Sequence, residues 1–227
     1  MTSVALIGGD GAGKTTVARH LTTSPELRAK YLYLGMSAQS GDHLLPLSRL
    51  VLGLKRRAYR RATLRTTGVP PQSRHIPASH YEYSNEQRSS WWVAARLGNR
   101  LAEAWYRQLI SAYLQLRGYL VVYDRHVLFD AGSLDAGRAS RRVTERIYHW
   151  LMRSFYPRPD LVILLDASGE VLHGRKGEAS PGYLDRERTM YLAQAAAAPA
   201  FVRLDATKPL DEVLRDAQAA VAEHCRR

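Results

Sequence analysis

Val4-Ala5-Leu6-Ile7-Gly8-Gly9-Asp10-Gly11-Ala12-Gly13-Lys14-Thr15-Thr16 is the stretch that decides the fold. Four apolar residues run directly into glycines, and Gly8 to Thr15 match the pattern G-x-x-x-x-G-K-[ST]. Each position has a chemical reason. Glycines let backbone N–H groups turn inward and approach an anion closely. A helix starting at Lys14 turns the positive end of its dipole toward the same place. Lys14 has the reach for outer phosphates, and Thr15 offers a hydroxyl to Mg2+. The stretch therefore reads as a strand, a phosphate loop and a helix.

The rest of the chain repeats that rhythm. Tyr31 to Leu34, Tyr119 to Tyr123, Leu161 to Leu165 and Phe201 to Leu204 are further apolar strand candidates. Helices are expected over 14–21, 86–117, 139–155 and 211–224. Apolar runs bounded by turns and separated by helices point to a five-stranded parallel sheet covered on both faces. This is an α/β fold of three layers, α/β/α, in one domain spanning residues 1–227. Ligands in such sheets bind beyond the carboxyl ends of the strands. Asp124 ends the third strand, so it is a candidate to hold Mg2+ or to take a proton. Arg125 beside it is a candidate phosphate contact. Asp166 ends the fourth strand as a weaker candidate, since helix capping explains it equally well.

Residues 35 to 90 break the rhythm. Leu47, Leu50, Val51, Leu54 and Ala58 recur at helical spacing, and 66–84 reads as a long loop rich in Pro, Ser and Thr. Seven of the 33 basic residues fall within 49–65, with no acid among them. Four readings of that run stay open: a solvated helix face, contact with an acceptor phosphate, nucleic acid, or an anionic membrane surface. On the long helix that follows, Trp91, Ala94, Ala95, Leu101, Ala102, Trp105, Leu109 and Tyr113 read as the packed face. Arg96, Arg100, Glu103 and Arg107 read as the polar one.

Composition narrows the class. The 227 residues carry a net charge of +12 with 24% charged and 45% hydrophobic residues, which is a globular balance. The single cysteine, Cys225, excludes an intrachain disulfide and fits a reducing compartment. The first residues lack the basic start and long apolar run of a signal peptide, and no apolar run is long enough to span a membrane. A cytoplasmic protein is expected.

Three blocks together, GGDGAGKTT, YDRH and PDLVILLD followed by GRKGE, resemble thymidylate kinases and their thymidylate kinase-like relatives among the nucleoside and nucleotide kinases. The resemblance implies an ATP phosphate site at Gly8, Gly9, Asp10, Gly11, Ala12, Gly13, Lys14, Thr15 and Thr16. It implies Mg2+ at Thr15 and Asp124, and a lid over about 168–188. It implies a catalytic arginine from that lid, Arg175 first, with Arg186 and Arg188 behind it. Asp10 matches a position that contacts the acceptor's sugar, and Arg100 or Arg96 matches an arginine for the acceptor phosphate. Arg125 and His126 complete the acceptor side. Two departures fall on that side: Ile7 stands where the family has Glu, and LGMSAQSG (residues 34–41) replaces an Arg-Glu-Pro block.

These readings lead to an ATP-dependent kinase acting on a small-molecule acceptor other than thymidylate. If the acceptor is a hydroxyl, Asp124 or Asp10 is the candidate base; if it is a phosphate, arginines must offset its charge. The alternatives are a nucleic-acid-directed NTPase or polynucleotide kinase, and a nucleotide-binding switch without catalysis. A homodimer stays open.

Overall fold

The computed structural model describes residues 2–35, 90–129, 143–177, 179–195 and 198–226, together with Leu45, Gly53, Leu54, Arg57, Arg61 and Leu64. The loop expected at 66–84, the starts of the helices expected at 86 and 139, and the side chains of Trp91 and Arg96 lie outside what is described. The chain forms two compact units, one of residues 1–36 and 107–227, the other of 37–106.

The first unit is built on five strands: β1 (Ser3–Ile7), β2 (Ala29–Tyr33), β3 (Leu120–Asp124), β4 (Leu161–Asp166) and β5 (Phe201–Asp205). They lie in the order β2-β3-β1-β4-β5, and every pairing is parallel. The central strands β1, β3 and β4 are buried at every residue, as continuous Val/Leu/Ile runs require when both sheet faces are covered. β5 is an edge and alternates. The second strand starts two residues earlier and ends one residue earlier than the sequence suggests. It starts at Ala29, because Ala29 pairs with Leu120 and Tyr33 with Asp124, so Leu34 falls past its end.

Helices α1 (Lys14–Thr23), α2 (Ser90–Leu116), α3 (Val143–Phe155), α4 (Gly169–Lys176), α5 (Pro181–Ala195) and α6 (Leu210–Arg226) complete the described elements. On one face of the sheet, Val17, Ala18 and Leu21 of α1 and Val213, Ala217 and Val221 of α6 pack on Val4, Leu6, Val122 and Ile163. On the other, Ile110 and Leu114 of α2 and Tyr191 of α5 pack on Ala5, Ile7, Val121 and Tyr123. The chain enters the sheet at a fixed point: Ser3 N–H and Oγ both donate to Asp160 Oδ2 at 2.8 Å.

α2 is turned opposite to its sequence reading. Trp105, Leu109, Tyr113 and Leu116 are exposed, whereas Arg107 and Ser111 are buried. The inward positions are held by polar bonds as well as by Ile110 and Leu114. Ser111 Oγ and Tyr123 OH are 2.5 Å apart, and Arg107 Nη1 donates to Gly35 O at 3.3 Å. A buried polar group with a partner packs as well as an apolar one, so counting apolar residues picked the wrong face.

In the second unit, Gly53, Leu54, Arg57, Arg61 and Leu64 are helical, as the spacing predicted, and Leu54, Arg57, Arg61 and Leu64 are exposed. No described helix is long and apolar enough to cross a membrane.

The orientation of α2 has a direct test. Leu109→Ala, at a side chain 66% exposed, is expected to change stability by under about 0.5 kcal/mol. Leu6→Ala in β1, fully buried, is expected to cost about 2–5 kcal/mol. Urea denaturation of both variants checks the pair.

Candidate active site

The loop after β1 turns on glycines whose backbones need them. Gly8, Gly11 and Gly13 have φ of 142°, 93° and 90°, which disfavours any side chain. At Gly8 a methyl group would also sit 2.5 Å from the carbonyl oxygen of Leu165 in β4. The loop thus lies flat on the end of the sheet and delivers Lys14 to the first turn of α1. Lys14 is buried, and its Nζ donates to Gly8 O at 2.7 Å and Gly9 O at 2.8 Å, with Asp10 Oδ1 3.8 Å away. Burial first, and the Arg125 charge second, push Lys14 down to about 8, against the pull of Asp10, Glu187 and Asp124.

One helical residue later, Thr15 Oγ1 donates to Asp124 Oδ2 at 2.6 Å. Tyr31 OH, from β2, donates to the same oxygen at 2.8 Å. Asp124 is 1% exposed, and its other oxygen, Oδ1, is buried with no hydrogen-bond partner. Burial, and then the Asp124 charge and hydrogen bond, hold the Tyr31 phenol well above its ordinary range.

This donor set suits Mg2+. A hard cation prefers a carboxylate and a hydroxyl oxygen, takes one or two protein ligands and fills the rest with water and phosphate. Thr15 gives its proton to Asp124 and keeps its lone pairs, while Asp124 Oδ1 is an acceptor without a donor. Among the described residues, no group of three His, Cys, Asp or Glu forms an all-protein cage.

Arg125 follows Asp124 in the left-handed region, φ 66°, and its guanidinium pairs with Asp10 Oδ1. For Asp10 burial acts upward, but Arg125, Lys14 and Lys176 together hold the carboxyl below its ordinary value. The Arg125 stem lies against Gly35, where an added methyl would be 2.8 Å from Cδ. Gly35 O is the acceptor of Arg107, so two arginines flank Gly35, just past the end of β2.

Two helices of the expected lid, α4 and α5, close the other side. A methyl at Gly9 would meet Leu172 Cδ1 and Leu184 Cδ2, with Glu187 Oε2 at 3.7 Å. Glu187 is buried and accepts the Tyr191 hydroxyl at 3.1 Å. Burial raises its carboxyl above the ordinary range, against Tyr191, Lys14 and Arg125. Of the three candidate lid arginines, Arg186 is exposed and the other two are engaged elsewhere. Arg175 Nη2 donates to Ala206 O at 2.9 Å. Arg188 forms two bonds to Asp166, 2.6 and 2.9 Å, and Arg203 of β5 grips the same carboxylate.

The structure thus brings together Asp10, Lys14, Thr15, Asp124 and Arg125. It puts Arg175 on the β5 side with its guanidinium on a carbonyl. His126 is fully buried rather than presented to an acceptor, at edge-to-face distances of 5.3, 5.9 and 5.6 Å from Tyr123, Phe129 and Tyr156. Burial pushes it down to about 3, so it is neutral. Arg96 and Arg100 lie on the part of α2 that belongs to the second unit. Sequence reading missed Tyr31, Arg107 and Glu187. For Tyr31 the strand gave no distinguishing signal, since Lys30 and Tyr33 beside it are polar-tipped as well.

No protein-family model matches the chain. Over 225 residues it is 28% identical to a probable thymidylate kinase of Archaeoglobus fulgidus, across 96% of this chain and 93% of that protein. Among solved structures it resembles deoxyadenosine kinase from M. mycoides with bound dCTP, at 12% identity and a TM-score of 0.51 over 98% of this chain and 100% of that one. The same kinase with products dCMP and a flexible dCDP bound superposes at 12% identity and a TM-score of 0.52, with the same coverage of both chains. At that identity the likeness is one of fold. Strand order and phosphate loop define a P-loop kinase fold. The full-length sequence likeness points the same way: the chain resembles thymidylate kinases over nearly all of its length.

The Asp166 cluster gives a pH-dependent prediction. The Arg188 hydrogen bonds first, and Arg203 with them, hold the Asp166 carboxyl below its ordinary value against burial. A carboxyl that titrates lower folded than unfolded contributes stability above its unfolded pKa, about 3.9, and loses it as pH falls through the folded value. Asp166→Asn is therefore expected to lower the thermal midpoint at pH 7 and to flatten its decline below about pH 4. Melting curves from pH 7 to pH 2.5 check it, using about those limits to bracket the titration.

Proposed function

We propose that the chain is an ATP-dependent phosphotransferase that moves the γ-phosphate onto a small acceptor. The acceptor is a hydroxyl or phosphate of a nucleoside, nucleotide, sugar or natural product, not dTMP itself. The observation that carries this is the 2.6 Å bond from Thr15 to Asp124, with Asp124 Oδ1 left open beside a phosphate loop. That pairing of a loop hydroxyl with a strand-end carboxylate is a Mg2+-nucleotide arrangement. Mg2+, when bound, neutralises charge on the β- and γ-phosphate oxygens.

The chain's own residues then have these tasks. Lys14 Nζ exchanges the carbonyls of Gly8 and Gly9 for outer phosphate oxygens. Backbone N–H groups of the loop and the first turn of α1 hold the remaining oxygens. Arg125 leaves Asp10 for negative charge on the acceptor side, with Arg107 as a second cation near Gly35. The lid arginines, Arg175 first with Arg186 and Arg188 behind it, re-aim to stabilise the transferring group. Leu172 and Leu184 exclude water over Gly9. For a hydroxyl acceptor, Asp124 and Asp10 are poor bases in this arrangement: two donors hold one and an arginine holds the other. Ile7 and the replaced block at 34–41 support an acceptor other than thymidylate.

The test is ADP release with ATP and Mg2+ across deoxynucleosides, nucleoside monophosphates including dTMP, sugars and aminoglycoside-like compounds. Transfer is expected to drop on the order of 100-fold or more in Lys14→Ala. Transfer that survives Lys14→Ala overturns the assignment, and no ADP release with any acceptor favours a non-catalytic switch. Because Lys14 carries its charge below about 8, nucleotide affinity of the wild type is expected to fall as pH rises through that value. Titration with a fluorescent ATP analogue between about pH 6.5 and 9.5 reads the fall directly, with Lys14→Ala flat across the range.

A further inference from the structure

We infer that Tyr31 is a positioning residue for the divalent cation, fixing which oxygen of Asp124 faces it. The inference rests on the phosphotransferase reading of the same site.

The terminal torsion of an aspartate is soft and roughly two-fold, so the backbone alone does not decide where each carboxylate oxygen points. Two donors decide it here, and they arrive from different elements. Thr15 comes from the first turn of α1 and Tyr31 from β2, and both bond Oδ2, at 2.6 and 2.8 Å. Two bonds on one oxygen hold the carboxylate plane as a single bond does not. The result is the buried, unpartnered Oδ1. An ionised carboxylate has acceptor capacity for about four bonds, and leaving one buried oxygen bare costs free energy unless something else meets it. A cation ligated jointly with the Thr15 hydroxyl is the partner of fitting chemistry.

The sheet makes Tyr31 available. β2 pairs with β3 so that Tyr31 lies opposite Val122, and Tyr33 opposite Asp124. Residues two apart share a face of the strand, so Tyr31 stands on the Asp124 side, one step back. A phenol has the length to lean forward across that step. Phenylalanine at 31 would keep the ring and remove only the bond.

Mg2+ is titrated against a fluorescent ATP analogue on wild type and Tyr31→Phe, and Mn2+ binding to the ADP complex is followed by electron paramagnetic resonance. Tyr31→Phe is expected to bind nucleotide like wild type in EDTA. It is expected to need about 10- to 100-fold more Mg2+ or Mn2+ for half effect, the usual size of an outer-shell loss. An unchanged metal midpoint overturns the inference. So does an equal loss of affinity with and without metal, which is what a purely structural role gives. Failure of the phosphotransferase reading looks different: wild type then releases no ADP with any acceptor, whatever its metal midpoint.

Discussion

Thr15 and Asp124 are 109 residues apart in sequence and 2.6 Å apart in space. That bond ties the start of α1 to the end of β3, and everything in the site is placed relative to it. It exists because β1 and β3 are neighbours in register, Leu6 opposite Asp124. The loop leaving β1 therefore turns back over the strand that ends in the carboxylate. The same register brings Arg125 beside Asp10. A sheet in sequence order would separate these groups; interleaving β3 between β2 and β1 joins them.

The electrostatics of the site follow from how closely its charges are packed. Lys14 feels the charges of Arg125, Asp10, Glu187 and Asp124, and Glu187 feels those of Lys14, Asp10 and Arg125. The local balance of cation and anion is near even, although the chain as a whole carries +12. In the first unit, Arg175, Arg188 and Arg203 are each committed to an oxygen. A polyanion arriving at the loop meets cations that already have partners. Binding is thus an exchange of partners, which makes it sensitive to the geometry of the incoming oxygens.

The phosphate loop, the parallel sheet and the strand-end Asp-Arg pair were legible because they rest on local rules. Glycine spacing, apolar runs and strand ends are properties of neighbouring residues. What was not legible depends on pairing over long distances. The face of α2 was misread because Arg107 and Ser111 are buried through bonds to Gly35 and Tyr123, partners that periodicity does not contain. His126 looked like a site residue from its place after Asp124-Arg125, yet the chain turns inward there and an aromatic cage takes it. Tyr31 and Glu187 went unseen because their meaning lies in the acids and bases that the fold sets opposite them. Asp166 kept a structural part: it fastens α5 to β5 through two arginines.

The floor beneath Gly8 has a mechanical consequence. Behind that residue stands a backbone carbonyl of the central sheet, Leu165 O. In front of Gly9 stand the tips of three side chains, Leu172, Leu184 and Glu187. A carbonyl inside a hydrogen-bonded sheet yields very little, whereas leucine tips shift at small cost. The loop is thus mounted between one hard wall and one soft wall. Any tightening around a bound group must come from the soft side, while the hard one stays where the sheet holds it.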